Sequence, residues 1–235
     1  MFESLLQPTL ASNVIAIFWY LSLAHWLGDY PLQINWIAQR KTNFWVLLIH
    51  IAIHFLLLLA ILYPASAAIW PYLLALAAFH FANDAFKNWL KIHMPTWVTW
   101  PYVVDQIIHI ASLAIVASWI YTSTGGVTAA LPLPVAILGS GLVLVTFVWT
   151  ITEKVLWTGT RAIIKDNPLW PWKRLVLRAG FYAVILLGRQ AFLPLILARF
   201  TWLPYPNSPA GKRALLIDIL VSLIISGIVI LALPG

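Results

Sequence analysis

The sequence contains no cysteine and very few charged residues, and each shortage excludes a class of protein. Without cysteine, the chain can form no disulfide, no thiolate metal site and no cysteine nucleophile. Charged residues make up 9% of its 235 residues and hydrophobic residues 62%, whereas a soluble domain is about 25% charged. So apolar a chain has too few charges to keep its surface in water. The composition therefore predicts an integral membrane protein.

Acidic residues are scarcer than basic ones, which gives the chain a net charge of +7. The basic residues stand in short connections between apolar runs instead of forming one continuous patch. In membrane proteins such residues determine which loops stay in the cytoplasm. We therefore predict the bilayer as the partner of this chain, and no nucleic acid.

Six apolar runs are long enough to cross the hydrocarbon core of a bilayer, which needs roughly 20 residues. A seventh, Leu175–Ala198, contains Arg178 and is interrupted by Gly188-Arg189-Gln190, as is typical of re-entrant or interfacial segments. The predicted fold class is an all-α, polytopic helical bundle with six spans, or seven if this segment also crosses. The six runs are Ala11–Gly28, Phe44–Tyr63, Ala67–Leu90, Tyr102–Tyr121, Leu131–Ile151 and Ala214–Leu233.

The basic residues also predict an orientation. They follow the first, third and fifth runs, including a basic loop at 154–174, while the two intervening connections carry none. This alternation places the N-terminus outside and the odd-numbered runs pointing inward. Because residues 1–13 lack the basic region of a cleavable signal, we expect the first run to be a retained span.

Each of the first four runs contains one pair of ionisable residues four positions apart, a spacing that puts both on one helix face. Ionisable residues inside apolar runs are costly, and these pairs use five of the six histidines. The pairs alternate between the ends and the starts of successive runs, so all four are expected in one layer near the cytoplasmic side. They are His25 and Asp29, His50 and His54, His80 and Asp84, and Asp105 and His109.

The pairs also repeat along the chain. Each residue of the first two pairs has a counterpart 55 residues later, and only His50, matched by Asp105, changes type. This spacing predicts a duplicated two-helix unit, with repeats at about 15–62 and 70–117. We expect residues 1–122 to form a four-helix metal-site bundle and residues 123–235 to form further membrane helices.

Imidazole and carboxylate groups in this arrangement indicate a metal site. They suit zinc, iron or manganese, and eight candidate ligands exceed what one tetrahedral ion needs. We therefore expect one or two divalent ions. A purely structural His–Asp network is the main alternative, although burying so many titratable groups without a cation is costly. Porphyrin or chlorophyll ligation is a further alternative, but it leaves the aspartates unexplained.

Polar residues beside the pairs are candidates for supporting roles. Lys87 shares a helix face with His80 and Asp84, so its ammonium is a candidate to hold a phosphate or carboxylate; otherwise it extends to the headgroups. Asp84 and Asp105 are candidate general bases. The residues expected to orient ligands or substrate are Gln33, Asn83 and Gln106.

Charged residues in the second half have simpler expected roles. Arg189 is a candidate anion clamp if its segment re-enters the membrane, although an arginine at a cytoplasmic turn is the default. Asp218 is expected to pair with Arg213 or Lys212. Glu153 and Lys154 are expected to form solvated ion pairs.

The stretch His25-Trp26-Leu27-Gly28-Asp29-Tyr30-Pro31-Leu32-Gln33, with the later His50-x-x-x-His54, Asp84-x-x-Lys87 and Asp105-Gln106-x-x-His109, carries a family resemblance. It resembles a bacterial and phage family of small integral membrane proteins known only as a domain of unknown function. The resemblance covers roughly the first 120 residues. More distantly, the pattern is similar to bacterial inner-membrane proteins labelled metal-dependent hydrolases. It implies a metal site and a location in the bacterial inner membrane.

These observations favour a membrane-embedded metal-dependent hydrolase that acts on a lipid or phosphoester at the cytoplasmic leaflet. A divalent-metal transporter or channel is the first alternative, because similar pairs occur in metal-transport sites. The second alternative is a structural subunit of a membrane complex that a metal ion holds together. The third is an oxygen-dependent di-iron enzyme. The sequence leaves open whether the protein is an enzyme, and which subunits it assembles with.

Overall fold

The computed structural model describes residues 9–11, 13–157, 171–187 and 209–233. They belong to two compact units, which meet in the chain between Ser140 and Gly141. The first unit contains β1 (Thr9–Ala11), α1 (Val14–Asp29), α2 (Asn35–Arg40), α3 (Phe44–Ile61), a 3-10 turn (Tyr63–Ala65), α4 (Ser66–His93), α5 (Thr99–Thr124), β2 (Val127–Ala129) and the start of α6 (Leu133–Val143). After the end of α6, the second contains a π-helical turn (Leu144–Val148), α7 (Trp149–Trp157), α8 (Pro171–Leu187) and α9 (Pro209–Ala232).

Helices α1, α3, α4 and α5 form a four-helix bundle. Helix α1 packs against α3 and α5, and α4 packs against the same two helices. Because consecutive helices run in opposite directions, every helix lies between two antiparallel neighbours. Their shared core is apolar and fully buried, with Leu21, Leu73 and Val116 among its members. This arrangement brings the end of α1 beside the start of α5.

Local sequence signals set the ends of these helices. Asn13 precedes α1 and its side-chain oxygen accepts a hydrogen bond from the Ala16 amide at 2.8 Å. Asn43 precedes α3 and accepts from the Trp45 amide at 2.9 Å. Asparagine is favoured here because it satisfies amides that have no partner in the first turn. Helix α5 ends at Gly125, which has a φ of 69°, a conformation that suits glycine.

A short antiparallel ribbon joins the chain before α1 to the chain after α5. Strands β1 and β2 pair in the register Thr9 with Ala129, Leu10 with Thr128 and Ala11 with Val127. The ribbon therefore lies at the end of the bundle where α1 begins and α5 ends. The all-α prediction did not anticipate it, because three-residue strands leave too short a pattern to detect.

Among the residues that the structure describes, five helical segments are long and apolar enough to cross a membrane, as expected for a helical membrane protein. The first predicted span corresponds to α1, whose 16 residues fall short of the roughly 20 that a full crossing needs. Of the uncertain segment 175–198, the structure describes the part up to Leu187, at the end of α8. Its later part, including Arg189, lies outside the described residues. The five segments are Phe44–Ile61, Tyr63–His93, Thr99–Thr124, Leu133–Leu156 and Gly211–Ala232.

The second unit contains a buried network of two arginines and two carboxylates. The fully buried Arg178 donates hydrogen bonds to Asp218 at 2.8 Å and to Glu153 at 2.8 Å. Arg174 lies 2.6 Å from Asp218 and 2.9 Å from Glu153. Arg178 also donates to Thr150 at 2.7 Å. Two positive and two negative charges therefore compensate each other inside this unit.

This network corrects one expectation and extends another. The prediction of a solvated Glu153 is wrong, because two arginines of α8 hold its carboxylate in a buried position. Asp218 has two arginine partners, Arg174 and Arg178, that the sequence did not suggest. Both are more than 39 residues away along the chain, so no local spacing indicates the pairing.

Replacing Arg178 by methionine should strongly destabilise the protein. The change leaves Glu153 and Asp218 buried with one arginine between them, and breaking a buried ion pair costs about 3–5 kcal/mol. Urea unfolding in detergent micelles measures the effect. The exposed Arg213 provides the control, since Arg213→Met should cost less than about 1 kcal/mol. If Arg178→Met and Arg213→Met lower the free energy of unfolding equally, the buried network does not stabilise the protein as expected.

Candidate metal centre

The carboxylate of Asp29, the last residue of α1, is the meeting point of four histidines. Its Oδ1 lies 3.1 Å from Nε2 of His50, 3.3 Å from Nε2 of His54 and 3.5 Å from Nε2 of His80. Its Oδ2 lies 3.4 Å from Nε2 of His25. Three helices thus direct the same ring nitrogen at one carboxylate.

The five histidine rings of the bundle form one continuous layer. Ring centroids are 4.1 Å apart for His54 and His80, 4.3 Å for His80 and His109, and 4.8 Å for His25 and His109. His50 joins through His54, at 4.6 Å, and all five residues are buried. The structure therefore brings together the histidines from all four helices.

Apolar side chains close this layer on the side of the bundle core. A cavity borders the histidines there, and its walls include Leu21, Leu58, Leu76 and Leu113. Each of these leucines lies three or four residues from a histidine, one helical turn deeper in the bundle. The core side of the site is therefore mostly apolar, with Ser112 as a polar member of the cavity wall.

Seven of the eight predicted ligands fall into groups with the dimensions of a metal site. In each group one nitrogen or oxygen per residue lies within 4.8 Å of the others. Asp29, His80 and His109 each belong to two groups, so one carboxylate and two imidazoles connect all three. The groups are Asp29, His50, His54 and His80; His25, Asp29 and His109; and His80, Asp84 and His109.

The hydrogen bonding of the histidines fits a cation. Nε2 of His25 and Nε2 of His54 are buried and make no hydrogen bond to the described residues, although both lie within 3.4 Å of Asp29. A buried polar atom without a partner costs about 1–3 kcal/mol. An ion that accepts their lone pairs removes this cost. The donor set therefore suits a metal with nitrogen and oxygen ligands.

The eighth predicted ligand, Asp105, is in none of these groups. Its carboxylate accepts hydrogen bonds from Lys87 at 2.7 Å, Asn83 at 2.8 Å and Gln106 at 3.0 Å. Its distance to His109 is 3.5 Å. Asp105 therefore lies at the edge of the layer, where its carboxylate binds Asn83, Lys87 and Gln106.

The three residues expected to support the site all have contacts there. Asn83 joins Asp105 to His109, whose Nδ1 is 3.2 Å away. Gln106 accepts from the hydroxyl of Tyr30 at 3.0 Å. Gln33 instead donates to the backbone carbonyl of Asp29 at 2.9 Å, which stabilises the end of α1 without contacting the carboxylate.

Lys41 is the main contributor that the sequence did not reveal. It precedes α3, where it was counted with Arg40 as a topology signal. In the structure it is 8% exposed and its Nζ lies 2.7 Å from Asp84. Lys87 approaches the same carboxylate, at 3.2 Å. Spacing does not distinguish Lys41 from Arg40, because the turn between α2 and α3 decides which side chain points inward.

Tyr30 and Tyr102 form a second unpredicted contact on the polar side. Their hydroxyls are 3.3 Å apart, next to Gln106. Burial raises the pKa of the Tyr30 phenol above its ordinary value, so this hydroxyl stays a neutral donor. Asp29, a proposed ligand, is thus followed directly by Tyr30, whose hydroxyl donates a hydrogen bond to Gln106 beside the site.

Gly28 allows α1 to approach the ring of His54. A Cβ at this position would lie 2.6 Å from two atoms of that ring, which is closer than packed atoms allow. The absence of a side chain therefore lets His54 reach Asp29. The sequence shows this glycine between His25 and Asp29, but no spacing rule assigned it a role.

Replacing Gly28 by alanine should displace His54 and destabilise the protein by about 1–3 kcal/mol, the usual cost of an overpacked core. Thermal unfolding in detergent measures this loss. Gly227→Ala is the matched control, because a Cβ there would meet nothing within 4 Å. In a helix that change should be neutral or slightly stabilising. A Gly28→Ala protein as stable as the control would refute the close approach.

Comparison with known proteins finds one matching family model, and its description names no activity. No curated protein and no solved structure matches the chain. A family model described as "Protein of unknown function (DUF3307)" matches residues 17–133, which supports the predicted resemblance to a domain of unknown function. This segment starts in α1, ends at the first residue of α6 and includes all eight predicted ligands. The four-helix part of the chain is thus the part that is similar to this family.

Proposed function

We propose that the histidine layer binds one or two divalent metal ions, and that the protein is a membrane-embedded metal-dependent hydrolase. Its substrate is a lipid or phosphoester that enters at the cytoplasmic leaflet of a bacterial inner membrane. One observation carries the proposal: four imidazole Nε2 atoms surround the carboxylate of Asp29 within 3.1–3.5 Å. Zinc, iron and manganese all suit these ligands.

The sharing of Asp29, His80 and His109 between groups suits either number of ions. Two ions would be held by the three groups together, with these residues common to more than one group. With one ion, the group of Asp29, His50, His54 and His80 supplies four ligands and the remaining residues surround it. A bound divalent metal supplies Lewis acidity and lowers the pKa of a coordinated water.

The residues on the polar side have separate proposed roles. Asp105, outside the ligand groups, is the candidate to accept a proton from water, and Gln106 donates a hydrogen bond to its carboxylate. Lys87 lies between Asp84 and Asp105, at 3.2 and 2.7 Å, and is the candidate to neutralise a leaving group. Asp84 orients both His80 and Lys87, which favours it as a ligand over a free base.

The apolar core supports hydrolysis over metal transport. A transporter needs a polar path to both faces of the membrane. In the described four-helix bundle, the cavity on the core side of the histidine layer is lined mostly by apolar residues such as Leu21 and Leu113, which offer no continuous polar path. Lys87, by contrast, has a side chain that is 31% exposed on the other side. Access from one side is what an enzyme at a single leaflet requires.

Removal of His80 should abolish tight metal binding. His80 belongs to two ligand groups, and outer-sphere partners alone are usually worth 10–100-fold in metal affinity, so the loss should exceed about 100-fold. Purified protein in detergent, analysed by mass spectrometry for bound metals, should contain one or two ions per chain. His93, the sixth histidine, is exposed, and His93→Ala should retain the metal.

Two results would reject the metal site. One is wild-type protein that binds no divalent metal after zinc, iron or manganese is added. The other is equal metal content in His80→Ala and His93→Ala protein. Hydrolysis is tested separately, by metal-dependent release of a water-soluble product from phospholipid vesicles. If the protein binds metal but releases no product from the vesicles, the hydrolase proposal is rejected and a structural role for the metal remains.

A further inference from the structure

Two lysines converge on one carboxylate beside the histidine layer. Lys41 Nζ lies 2.7 Å from Oδ2 of Asp84, and Lys87 Nζ lies 3.2 Å from Oδ1. The same carboxylate is 3.4 Å from His50 and 3.5 Å from His80. Asp84, itself a proposed ligand, therefore holds two ammonium groups within the width of a single carboxyl group of His50 and His80.

Lys41 has more donors than acceptors. It is 8% exposed, and an ammonium carries three N–H donors. Among the described residues its side chain has one acceptor, Asp84. Burying an ammonium is costly unless its donors are satisfied. A ligand with several oxygen atoms would accept the remaining N–H groups, as a phosphate does.

The charge balance of the loaded site also requires an anion. Three aspartates against two lysines leave one negative charge when the histidines are neutral. One divalent ion would bring the net charge of the site to about +1, and two ions would bring it to about +3. Excess positive charge inside a protein is unfavourable without a counter-ion. A neutral ester supplies no negative charge, a phosphodiester one and a phosphate monoester up to two, so the monoester best balances the three positive charges of the two-ion site.

The surroundings of Lys41 place it at the depth of lipid headgroups. The residues just before and after it expose large apolar side chains, among them Ile34, Trp36, Phe44 and Trp45. Tryptophan beside a basic residue is typical of the membrane–water interface. A phosphate on a lipid headgroup can therefore approach at this level, as can a soluble phosphate ester.

We propose that Lys41 and Lys87 form a phosphate-binding subsite that presents a phosphate monoester to the metal layer. The inference rests on the proposed function and narrows its substrate class from esters in general to phosphate monoesters. Lys41 holds the phosphate from the buried side and Lys87 from the exposed side. Asp84 keeps both ammonium groups next to His50 and His80.

Binding of inorganic phosphate to the full chain in nanodiscs tests the subsite. In calorimetric titrations of zinc-loaded protein, Lys41→Met should weaken phosphate binding about tenfold or more, as expected for a lost charged hydrogen bond. Lys41→Arg should retain part of the affinity. Lys91, on the same helix as Lys87 but exposed, is the control, and Lys91→Met should leave binding unchanged.

Metal content, measured on every variant, separates the two proposals. Phosphate binding that depends on Lys41 supports the subsite. If the protein binds phosphate through Lys41 but holds no metal, the subsite stands and the proposed function alone is rejected. Wild-type protein that binds metal but no phosphate overturns the subsite, as does equal phosphate binding by Lys41→Met and Lys91→Met protein. Metal retention by Lys41→Met shows that this variant has folded, and Lys41→Arg shows whether the positive charge is what binds the phosphate.

Competition identifies the source of the phosphate. Nanodiscs that contain phosphatidic acid, whose headgroup is a phosphate monoester, should reduce inorganic phosphate binding if the ligand is a lipid. Glycerol phosphate in nanodiscs without phosphatidic acid should do so if the ligand is soluble. Either result supports the subsite. Failure of both to compete would overturn the assignment to phosphate monoesters.

Discussion

The contact between Asp29 and four histidines is the constraint on which the rest of the bundle depends. A carboxylate buried between apolar helices is unstable alone, and neutral imidazoles relieve this only in part. The four helices must therefore hold their polar groups at one level and in close contact. Their alternating directions satisfy that requirement, since each pair then lies at the same depth although it occupies a different part of its helix.

The surrounding residues maintain this contact in different ways. Gln33 binds the last carbonyl of α1 and so stabilises the helix end that carries Asp29. Gly28 leaves room for the His54 ring. Asn83 connects Asp105 with His109 across two helices. None of these residues is itself within the ligand groups, and their effect is to limit how far the ligands can move.

The sequence predicted the histidine layer because ionisable pairs stand out in apolar runs and follow the helical period. It predicted helical spans for the same reason. It did not predict Lys41 or the partners of Glu153, since a turn and long-range packing decide those contacts and neither leaves a periodic pattern. Asp105 matched the period but faces Lys87 and Asn83, which spacing alone cannot distinguish from facing a metal. The 55-residue duplication stays a prediction.

The ribbon of β1 and β2 fastens the first helix to the chain that leaves the fourth. At that end the ring of helices cannot widen without breaking strand pairs. At the histidine end, the contacts of Asp29 with His50 and His54 hold α1 against α3. The bundle is therefore fastened at both ends, by backbone hydrogen bonds at the ribbon and by charged and polar side chains at the histidine layer.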